Sequence, residues 1–333
     1  APERFVVANG DEGDPGSFVD RVLLERDPHS VLEGLALSAF AVGAQLGVVF
    51  VRSEYPRAAR RMREAAREAE RAGLFGAQLG GDGPPFAVRV VDGFGSYVCG
   101  EETALIAALE GERGEVRPRP PFPTEHGLFG RPTVVNNVET LVNVPWIVER
   151  GGDAFAALGT KHSNGTKALC LNAGFANPGI VEVPFGLSLR DVIQDWGATC
   201  CSESHLSAVL VGGPMGSVLT PERCDVTLCW AALAEHGVRL GHGGLVAVPR
   251  DADLANLATH LLRFVASESC GRCVPCRAGS VRALALAQAG LHENAAALRS
   301  VLGLMRSSSL CPFGRDTPGP IETILALTEG PHA

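Results

Sequence analysis

Short apolar runs and helix-forming stretches alternate along the first hundred residues of the sequence. Residues 5–7, 47–51 and 86–91 are rich in valine and phenylalanine, which is typical of buried strands. Two stretches of helical character lie between them, over residues 28–44 and 57–72. An order of strand, helix, strand, helix, strand favours a mostly parallel sheet with helices on its faces. The sequence therefore predicts an α/β fold, in which ligands lie beyond the carboxyl ends of the strands.

One uncharged stretch in this region, residues 34–51, has about the 18-residue length at which a membrane-spanning helix must be considered. It contains Gln45, is interrupted by Gly43 and Gly47, and ends in a β-type run of valine and phenylalanine. These features favour a buried helix followed by a strand. We therefore expect no membrane span here.

The sequence changes character twice after residue 111. Residues 112–145 contain six prolines and the pair Asn136-Asn137, which predicts a long ordered loop. From about residue 167 to 248, short strand-like runs return between glycines and prolines, and from residue 252 onward the pattern is helical and rich in alanine. We predict three domains, over residues 1–160, 161–250 and 251–333.

Composition limits the classes of function. The chain has 333 residues, of which 46% are hydrophobic and 20% are charged, so it has the balance of a folded protein and not of a disordered one. Its 29 Lys and Arg residues stand against 37 Asp and Glu residues, for a net charge of −8. Nucleic-acid binders need a broad basic face, so we expect no nucleic-acid partner.

Three of the ten cysteines form the tightly spaced run Cys270-Gly-Arg-Cys273-Val-Pro-Cys276, and Cys311-Pro312 follows downstream. Three thiolates at this spacing can converge on one face of a cubane, and a distal Cys-Pro is the usual setting of the fourth ligand of a [4Fe-4S] cluster. Structural zinc is the alternative, but zinc prefers two separated pairs of ligands. The pattern favours the iron–sulfur cluster.

The other cysteines show no ligand spacing, and ten cysteines are too sparse in 333 residues for a disulfide scaffold. We expect a reducing, cytoplasmic compartment. We interpret six cysteines as small buried apolar residues: Cys99, Cys170, Cys200, Cys201, Cys224 and Cys229.

A polar loop that contains Asn9, Asp11, Glu12 and Asp14 comes directly after the first predicted strand. Side chains at the carboxyl end of a parallel strand point into the ligand crevice. The same residue types also favour ordinary turns. The residues alone leave both interpretations open.

A second loop, residues 93–103, is a glycine turn that leads into a helical pattern over residues 104–109. A helix N-terminus of this kind offers backbone N–H groups to a phosphate, whereas Glu101 and Glu102 would repel one. The two carboxylates also suit the first turn of any helix. We expect them to bind hydroxyl groups or a flavin or nicotinamide ring.

In this order, the motifs resemble those of the NADH-binding flavoprotein subunit of respiratory complex I. The same family includes the diaphorase subunits of NAD-reducing hydrogenases and NAD-dependent formate dehydrogenases. The similarity covers nearly the whole chain, and the segments that carry it are residues 9–21, 93–111, 120–144, 268–277 and 309–314.

The resemblance implies a Rossmann-like domain that binds FMN and NADH, then a small β-grasp domain, then a C-terminal helical bundle that carries one [4Fe-4S] cluster. Among the residues matched, Glu101 and Glu102 are implied to be catalytic. By motif position, the residues implied to line FMN are Asn9, Asp11, Glu12, Tyr97, Gly100, Glu101, Glu102, Asn136, Asn137 and Thr140. Those implied on the NADH side are Asp14, Arg119 and Phe122, of which Asp14 stands where the family commonly has Glu and Arg119 where it often has Lys.

The implied function is hydride transfer between NADH and FMN, followed by one-electron transfer to the cluster. The implied partners are NADH or NAD+, a thioredoxin-like [2Fe-2S] subunit, and a larger iron–sulfur or catalytic subunit. The family also carries a glycine-rich loop upstream of the segment that matches Asn9; no such loop occurs in this sequence, and we expect the sequence to be a fragment. The alternatives are a flavin-free electron-transfer or scaffolding subunit and a zinc-stabilised binding protein.

Overall fold

A computed structural model describes residues 3–76, 85–197 and 206–329 of the chain. The chain divides into two compact units. The first comprises Ala1–Gly13 and Phe18–Ala154, and the second comprises Asp14–Ser17 and Phe155–Ala333. The predicted boundaries of three domains, at residues 160 and 250, stay a prediction.

The first unit contains a parallel four-stranded sheet. Its strands are β1 (Phe5–Gly10), β2 (Leu46–Val51), β3 (Ala87–Asp92) and β4 (Thr133–Asn137), in the order β3-β2-β1-β4. Its helices are α1 (Val19–Arg26), α2 (Pro28–Val42), α3 (Pro56–Arg71), α4 (Glu102–Leu109), α5 (Pro123–His126) and α6 (Val138–Arg150), and α7 (Gly152–Ala156) follows. The predicted α/β architecture with a parallel sheet is confirmed.

Both faces of this sheet are buried, which explains why its strands read as continuous apolar runs. Val49 and Val51 of β2 point to one face and join the core formed with α2, α3 and α6. Val48 and Phe50 point to the other face, where they pack with Leu105 and its neighbours in α4. Because side chains alternate along a strand, one strand supplies both cores.

The predicted long loop over residues 112–145 is wrong in its second half. The structure forms β4 there, and then α6, which keeps Pro145 inside the helix. Asn137 caps this helix by accepting a hydrogen bond from Thr140 N, and α6 packs closely on α2. A Cβ atom added to Gly34 of α2 would lie 2.1 Å from the Leu141 carbonyl oxygen, so glycine permits the approach. Tertiary packing outweighs the loss of one helical hydrogen bond at proline.

The second unit contains a mixed five-stranded sheet. Its strands are β7 (Thr166–Leu171), β8 (Gly179–Pro184), β9 (Leu206–Val211), β10 (Ser217–Leu219) and β11 (Gly244–Pro249), and a small hairpin of β5 (Gly159–Thr160) and β6 (Ser163–Asn164) precedes them. The order is β10-β9-β11-β7-β8, in which only the β7–β11 pair is parallel. The helices beside these strands are α8 (Leu189–Asp191), which continues into a π-helical turn over Val192–Trp196, and α9 (Trp230–Glu235).

The C-terminal part of the second unit is helical, as the sequence predicts. Its helices are α10 (Leu254–Glu268), α11 (Val274–Gln288), α12 (Ala295–Ser308), α13 (Pro312–Asp316) and α14 (Pro318–Thr328). Fully buried Leu262, Leu298, Leu302 and Ile324 lie on the inward faces of these helices. Within the described ranges, no helix is long and apolar enough to cross a membrane.

Candidate functional site

The carboxyl ends of β1 and β4 bring two distant parts of the sequence together. Asn9 is in register with Asn137 and Ala8 with Asn136, because the two strands are parallel neighbours. The Asn9 side-chain amide donates a 2.8 Å hydrogen bond to the carbonyl of Gly100, which precedes α4. Three sequence-predicted segments therefore meet at one edge of the sheet, where ligands of α/β folds bind.

Glu12 is 1% exposed, and its carboxylate lies at the N-terminus of α1. Its oxygens accept hydrogen bonds from the backbone N–H groups of Asp20 (3.2 Å) and Arg21 (3.1 Å) and from the Tyr55 hydroxyl (3.3 Å). The Arg52 guanidinium donates to the Glu12 carbonyl oxygen. A buried carboxylate needs such partners, and the helix N-terminus favours its negative charge. These contacts hold the Glu12 carboxylate in place. Its binding to flavin stays a prediction.

Asp20 is a buried acid that the sequence analysis did not select as a site residue. Its Oδ2 accepts a 2.7 Å hydrogen bond from the Asn137 side-chain amide, and its Oδ1 accepts one of 3.2 Å from Glu139 N. Burial, followed by the negative charges of Glu12 and Glu139, raises the pKa of Asp20 well above its ordinary value. This carboxyl group connects the first turn of α1 to the end of β4 and the start of α6.

Glu101 is the N-cap of α4. Its Oε2 accepts hydrogen bonds from Thr103 N (2.9 Å) and Ala104 N (3.1 Å), and also from the Thr103 hydroxyl. Its Oε1 is buried and has no hydrogen-bond partner within the part of the chain that the structure describes, although Arg119 lies 3.7 Å away. One oxygen of Glu101 therefore holds the helix, and the other is left to accept a hydrogen bond from a ligand.

Arg119 forms an ion pair with Glu102, so the structure joins a residue predicted to contact NADH to the two predicted catalytic glutamates. Both side chains of this pair are about one-third exposed, at 30% and 31%. Phe122 lies on the same segment as Arg119 and is half exposed, so part of its ring is accessible to a ligand. The arrangement provides one positive charge, two negative charges and an aromatic surface near the start of α4.

Two glycine contacts shape this edge of the sheet. A Cβ atom on Gly13 would lie 2.6 Å from the Tyr97 ring, and one on Gly100 would lie 3.2 Å from the Asp11 carbonyl oxygen. Asp11 N in turn donates a 3.1 Å hydrogen bond to the side chain of Asn9. The loops after β1 and β3 approach more closely than residues with side chains would allow.

Asp14 belongs to the second compact unit, unlike the other predicted site residues of the acidic loop. It is 8% exposed, and a Cβ atom on Gly213 would lie 3.2 Å from its carboxyl carbon. The role of Asp14 toward NADH stays a prediction.

The structure gathers Cys270, Cys273, Cys276 and Cys311, which we call the four-cysteine site. The pKa of the Cys276 thiol is raised to about 11, chiefly by burial; the Ser269 hydrogen bond lowers it, and the charges of Cys273, Cys311 and Cys270 raise it. Those three cysteines therefore lie within electrostatic range of Cys276. Cys273 is the N-cap of α11, and Cys311 is the N-cap of α13. None of the four forms a disulfide bond with another described cysteine.

Four of the six remaining cysteines are buried, as predicted, and form no disulfide bond within the described ranges: Cys99, Cys170, Cys224 and Cys229. Cys200 and Cys201 lie outside the described residues. Cys229 departs from the behaviour of a plain apolar residue, because hydrogen bonds from Ala232 N and from the Thr160 and Ser163 hydroxyls lower its pKa to about 6.

Comparisons with known proteins show which family this chain belongs to. Residues 1–146 match the family described as the Nuo51 FMN-binding domain, and residues 256–328 match the iron–sulfur binding region of NADH-ubiquinone oxidoreductase-F. The F 2 subunit of NADH-quinone oxidoreductase from Rhizobium meliloti (strain 1021) is 41% identical over 293 residues, which are 87% of this chain and 70% of that protein. The chain belongs to the family of these flavoprotein subunits.

Other members of the family are similar to the same extent. The HndC subunit of the NADP-reducing hydrogenase of Solidesulfovibrio fructosivorans is 41% identical over 96% of this chain and 66% of its own length. The F subunit of NADH-quinone oxidoreductase from Escherichia coli (strain K12) is 40% identical over 83% of this chain and 62% of its own length. The chain thus spans 62 to 70% of the length of these curated relatives.

A solved structure of this kind has the same fold. A chain of the NAD+-reducing [NiFe]-hydrogenase in the H2-reduced state superimposes with a TM-score of 0.88 at 37% identity. The match covers 98% of this chain and 55% of that chain. The α/β unit with its parallel sheet and the helical C-terminus are therefore those of this family.

The residues present fit the two cofactors that the family implies. Two buried polar atoms at the sheet edge, Glu101 Oε1 and Arg52 Nε, have no hydrogen-bond partner in the described residues, and both suit a ligand with hydroxyl and carbonyl groups. In the four-cysteine site the donors are four thiols, and the buried Ser309 hydroxyl close to Cys276 is likewise unpaired within the described residues. FMN matches the first set and a [4Fe-4S] cluster the second.

Sequence reasoning missed several residues that support these sites. Arg52 and Tyr55 hold the loop after β1, Asp20 accepts a hydrogen bond from Asn137, and Ser269 and Ser309 lie beside the cysteines. Arg52 and Tyr55 follow the carboxyl end of β2. Asn9 was chosen because it follows a predicted strand in the same way, so the sequence could have indicated Arg52 and Tyr55 too. The contacts of Asp20 depend on the tertiary arrangement of α1 and α6.

Proposed function

We propose that this chain is the flavoprotein part of an NADH-oxidising or NAD+-reducing complex. It would hold FMN at the carboxyl edge of the first sheet and a [4Fe-4S] cluster in the four-cysteine site. When bound, FMN exchanges a hydride with the nicotinamide and electrons one at a time with the cluster. The observation that carries the proposal is the meeting of Asn9, Gly100 and Asn137 at the sheet edge, in a chain that also gathers four cysteines.

The proposed FMN-binding residues would hold the cofactor from positions that the fold already fixes. Asn9 and Asn137 lie on adjacent strands, and Glu12 is fixed by two backbone N–H groups, so these groups need little rearrangement on binding. The unpaired Oε1 atom of Glu101 would accept a hydrogen bond from a flavin hydroxyl or ring N–H group. Tyr97, Gly100, Asp11, Asn136 and Thr140 complete the proposed FMN-binding set.

Glu102 and Arg119 would control the charge at the NADH side of the site. Their ion pair offsets part of the negative charge that two adjacent glutamates place at the start of α4. An anionic dinucleotide then meets less repulsion than the two glutamates alone would cause. The exposed ring of Phe122 would stack on the dinucleotide, and Asp14 is a further proposed NADH-binding residue.

The topology of the second unit supports a β-grasp assignment for the segment that we predict as the middle domain. A β7–β8 hairpin is followed by α8, then by a second hairpin of β9 and β10, and β11 returns to pair in parallel with β7 at the centre. We propose that this segment is a β-grasp domain.

The partners belong to the same proposal. Relatives are named as subunits of NADH-quinone oxidoreductase and of NADP-reducing hydrogenase, which supports assembly into a larger redox complex. We propose a thioredoxin-like [2Fe-2S] subunit and a larger iron–sulfur or catalytic subunit as partners, in the cytoplasm. NADH or NAD+ is the proposed small-molecule substrate.

The test is a visible absorption spectrum and a reductase assay of anaerobically purified protein. Flavin bands together with a broad iron–sulfur shoulder, and NADH-dependent reduction of ferricyanide, are the expected results. The shoulder alone, in protein supplied with FMN, would favour a flavin-free electron-transfer subunit. A spectrum with neither feature, and zinc in the protein, would overturn the proposal.

A further inference from the structure

Ser269 lies immediately before the first cysteine of the four-cysteine site. Its backbone N–H donates to Val265 O and ends α10, which leaves its side chain for another role. The Ser269 Oγ lies 3.3 Å from Cys276 Sγ, within hydrogen-bond range for sulfur. A thiolate that binds a metal carries no proton, so the serine hydroxyl must be the donor whenever Cys276 is a ligand.

A second serine, Ser309, lies near the same cysteine, and in the sequence it comes two residues before Cys311. It is 7% exposed, and its Oγ is buried without a hydrogen-bond partner among the residues that the structure describes. A Cβ atom added to Gly314 would lie 2.4 Å from Ser309 Oγ and 3.0 Å from Cys276 Cβ, so both side chains border one glycine. An unpaired buried hydroxyl is unfavourable, which points to an acceptor that the protein itself does not supply.

We propose that the hydroxyl groups of Ser269 and Ser309 donate hydrogen bonds to the sulfur atoms of the [4Fe-4S] site and raise its reduction potential. The inference rests on the proposed cluster in the four-cysteine site and adds two residues that the cysteine motif does not include. Ser269 donates to the Cys276 thiolate, and Ser309 donates to that thiolate or to an adjacent sulfide of the cluster.

The direction of the effect follows from charge. A reduced cluster carries one more negative charge than an oxidised one, and its sulfur atoms share that charge. A hydrogen-bond donor therefore stabilises the reduced form more than the oxidised form, which raises the reduction potential. Removal of either hydroxyl should make the cluster harder to reduce.

The test is a redox titration of the anaerobic, cluster-loaded protein followed by electron paramagnetic resonance. The variants are Ser269→Ala, Ser309→Ala and the double variant. Ser280→Ala is the matched control, because Ser280 is buried in α11 and its hydroxyl bonds to the Arg277 carbonyl instead of a sulfur. In each single variant the ratio of reduced to oxidised cluster at a fixed potential should fall about tenfold. This corresponds to a decrease of about 59 mV in the midpoint potential for one electron. S280A should leave the midpoint potential unchanged.

Iron and sulfide analysis separates the possible failures. An unchanged midpoint potential in S269A and S309A, with wild-type iron and sulfide content, overturns the inference while the proposed function stands. If S309A does not retain its cluster, S269A decides alone, because it truncates a less buried side chain. Wild-type protein without iron, sulfide or a reducible signal would instead refute the proposed function itself.

Discussion

The side-chain amide of Asn137 donates a 2.7 Å hydrogen bond to Oδ2 of Asp20, two residues that are 117 positions apart in the sequence. The bond links the start of α1 to the end of β4. Asp20 also accepts a hydrogen bond from Glu139 N, so this one buried carboxyl group orients both the cap and the first turn of α6.

Asp20→Asn should change how stability depends on pH. Burial and the nearby carboxylates raise the pKa of Asp20 in the folded protein, so the folded state binds its proton more tightly than the unfolded state. The wild-type protein is therefore expected to lose this contribution as pH rises from about 4 through the raised folded pKa. Asparagine has no titratable proton. Any excess of the wild-type free energy of unfolding over that of D20N, measured in urea, should therefore shrink or reverse as the pH rises. A difference that is the same at every pH would contradict the assignment.

Glu101→Ala should weaken both α4 and flavin binding. The variant loses the carboxylate that caps the helix, at a cost of about 1 kcal/mol in unfolding free energy, and loses the unpaired Oε1 atom. Glu101→Gln keeps an acceptor oxygen and should recover most of the stability. Thermal unfolding measures the first effect, and quenching of FMN fluorescence on titration measures the second. Equal FMN affinity in wild type and both variants would remove Glu101 from the flavin site.

Glu102→Gln should perturb NADH oxidation and leave the cluster content intact. The substitution removes a charge next to Arg119, with an expected loss on the order of tenfold in kcat/KM, about 1.4 kcal/mol of transition-state stabilisation. Glu112→Gln is the control, because Glu112 is an exposed partner of Arg117 in the same unit. NADH-dependent ferricyanide reduction and iron analysis are the two measurements. Wild-type turnover in E102Q would exclude Glu102 from the reaction.

Cys311→Ser should abolish the iron–sulfur absorption. Serine is a poor substitute for a thiolate ligand, and the remaining three cysteines leave one iron without a protein ligand. Cys170→Ala is the matched control, because Cys170 is fully buried in β7 of the same unit and lies outside the four-cysteine site. Iron and sulfide content should fall in C311S only. Loss in both variants would indicate a general effect on folding.

Gly34→Ala should destabilise the first unit. The added methyl group would lie 2.1 Å from the Leu141 carbonyl oxygen, so α2 and α6 must separate, at a cost of about 1–3 kcal/mol. Gly303→Ala is the control, because Gly303 lies in α12 with open space at its Cβ position. There the substitution should stabilise the helix by up to about 1 kcal/mol. Thermal unfolding of the two variants would be expected to shift in opposite directions.

The spacing of the cysteines and the period of the apolar residues were readable along the chain. Cys270, Cys273 and Cys276 lie within seven residues, so their convergence needs only a loop and one turn of helix. The strands of the first sheet were equally readable, because a strand buried on both faces is a continuous apolar run.

The tertiary structure alone decided which distant segments meet. Asn137 lies beside Asn9 because β4 pairs with β1, and Asp20 reaches Asn137 only after α1 and α6 have packed. Ser309 and Cys276 both border Gly314, where a side chain would contact each of them. The sequence by itself determined the α/β alternation and the close spacing of Cys270, Cys273 and Cys276, since both depend on residues that are neighbours along the chain. The contacts at the carboxyl ends of β1 and β4, and the Asp20 carboxyl group beside them, depend on strand order and helix packing, which place residues over a hundred positions apart within hydrogen-bond distance.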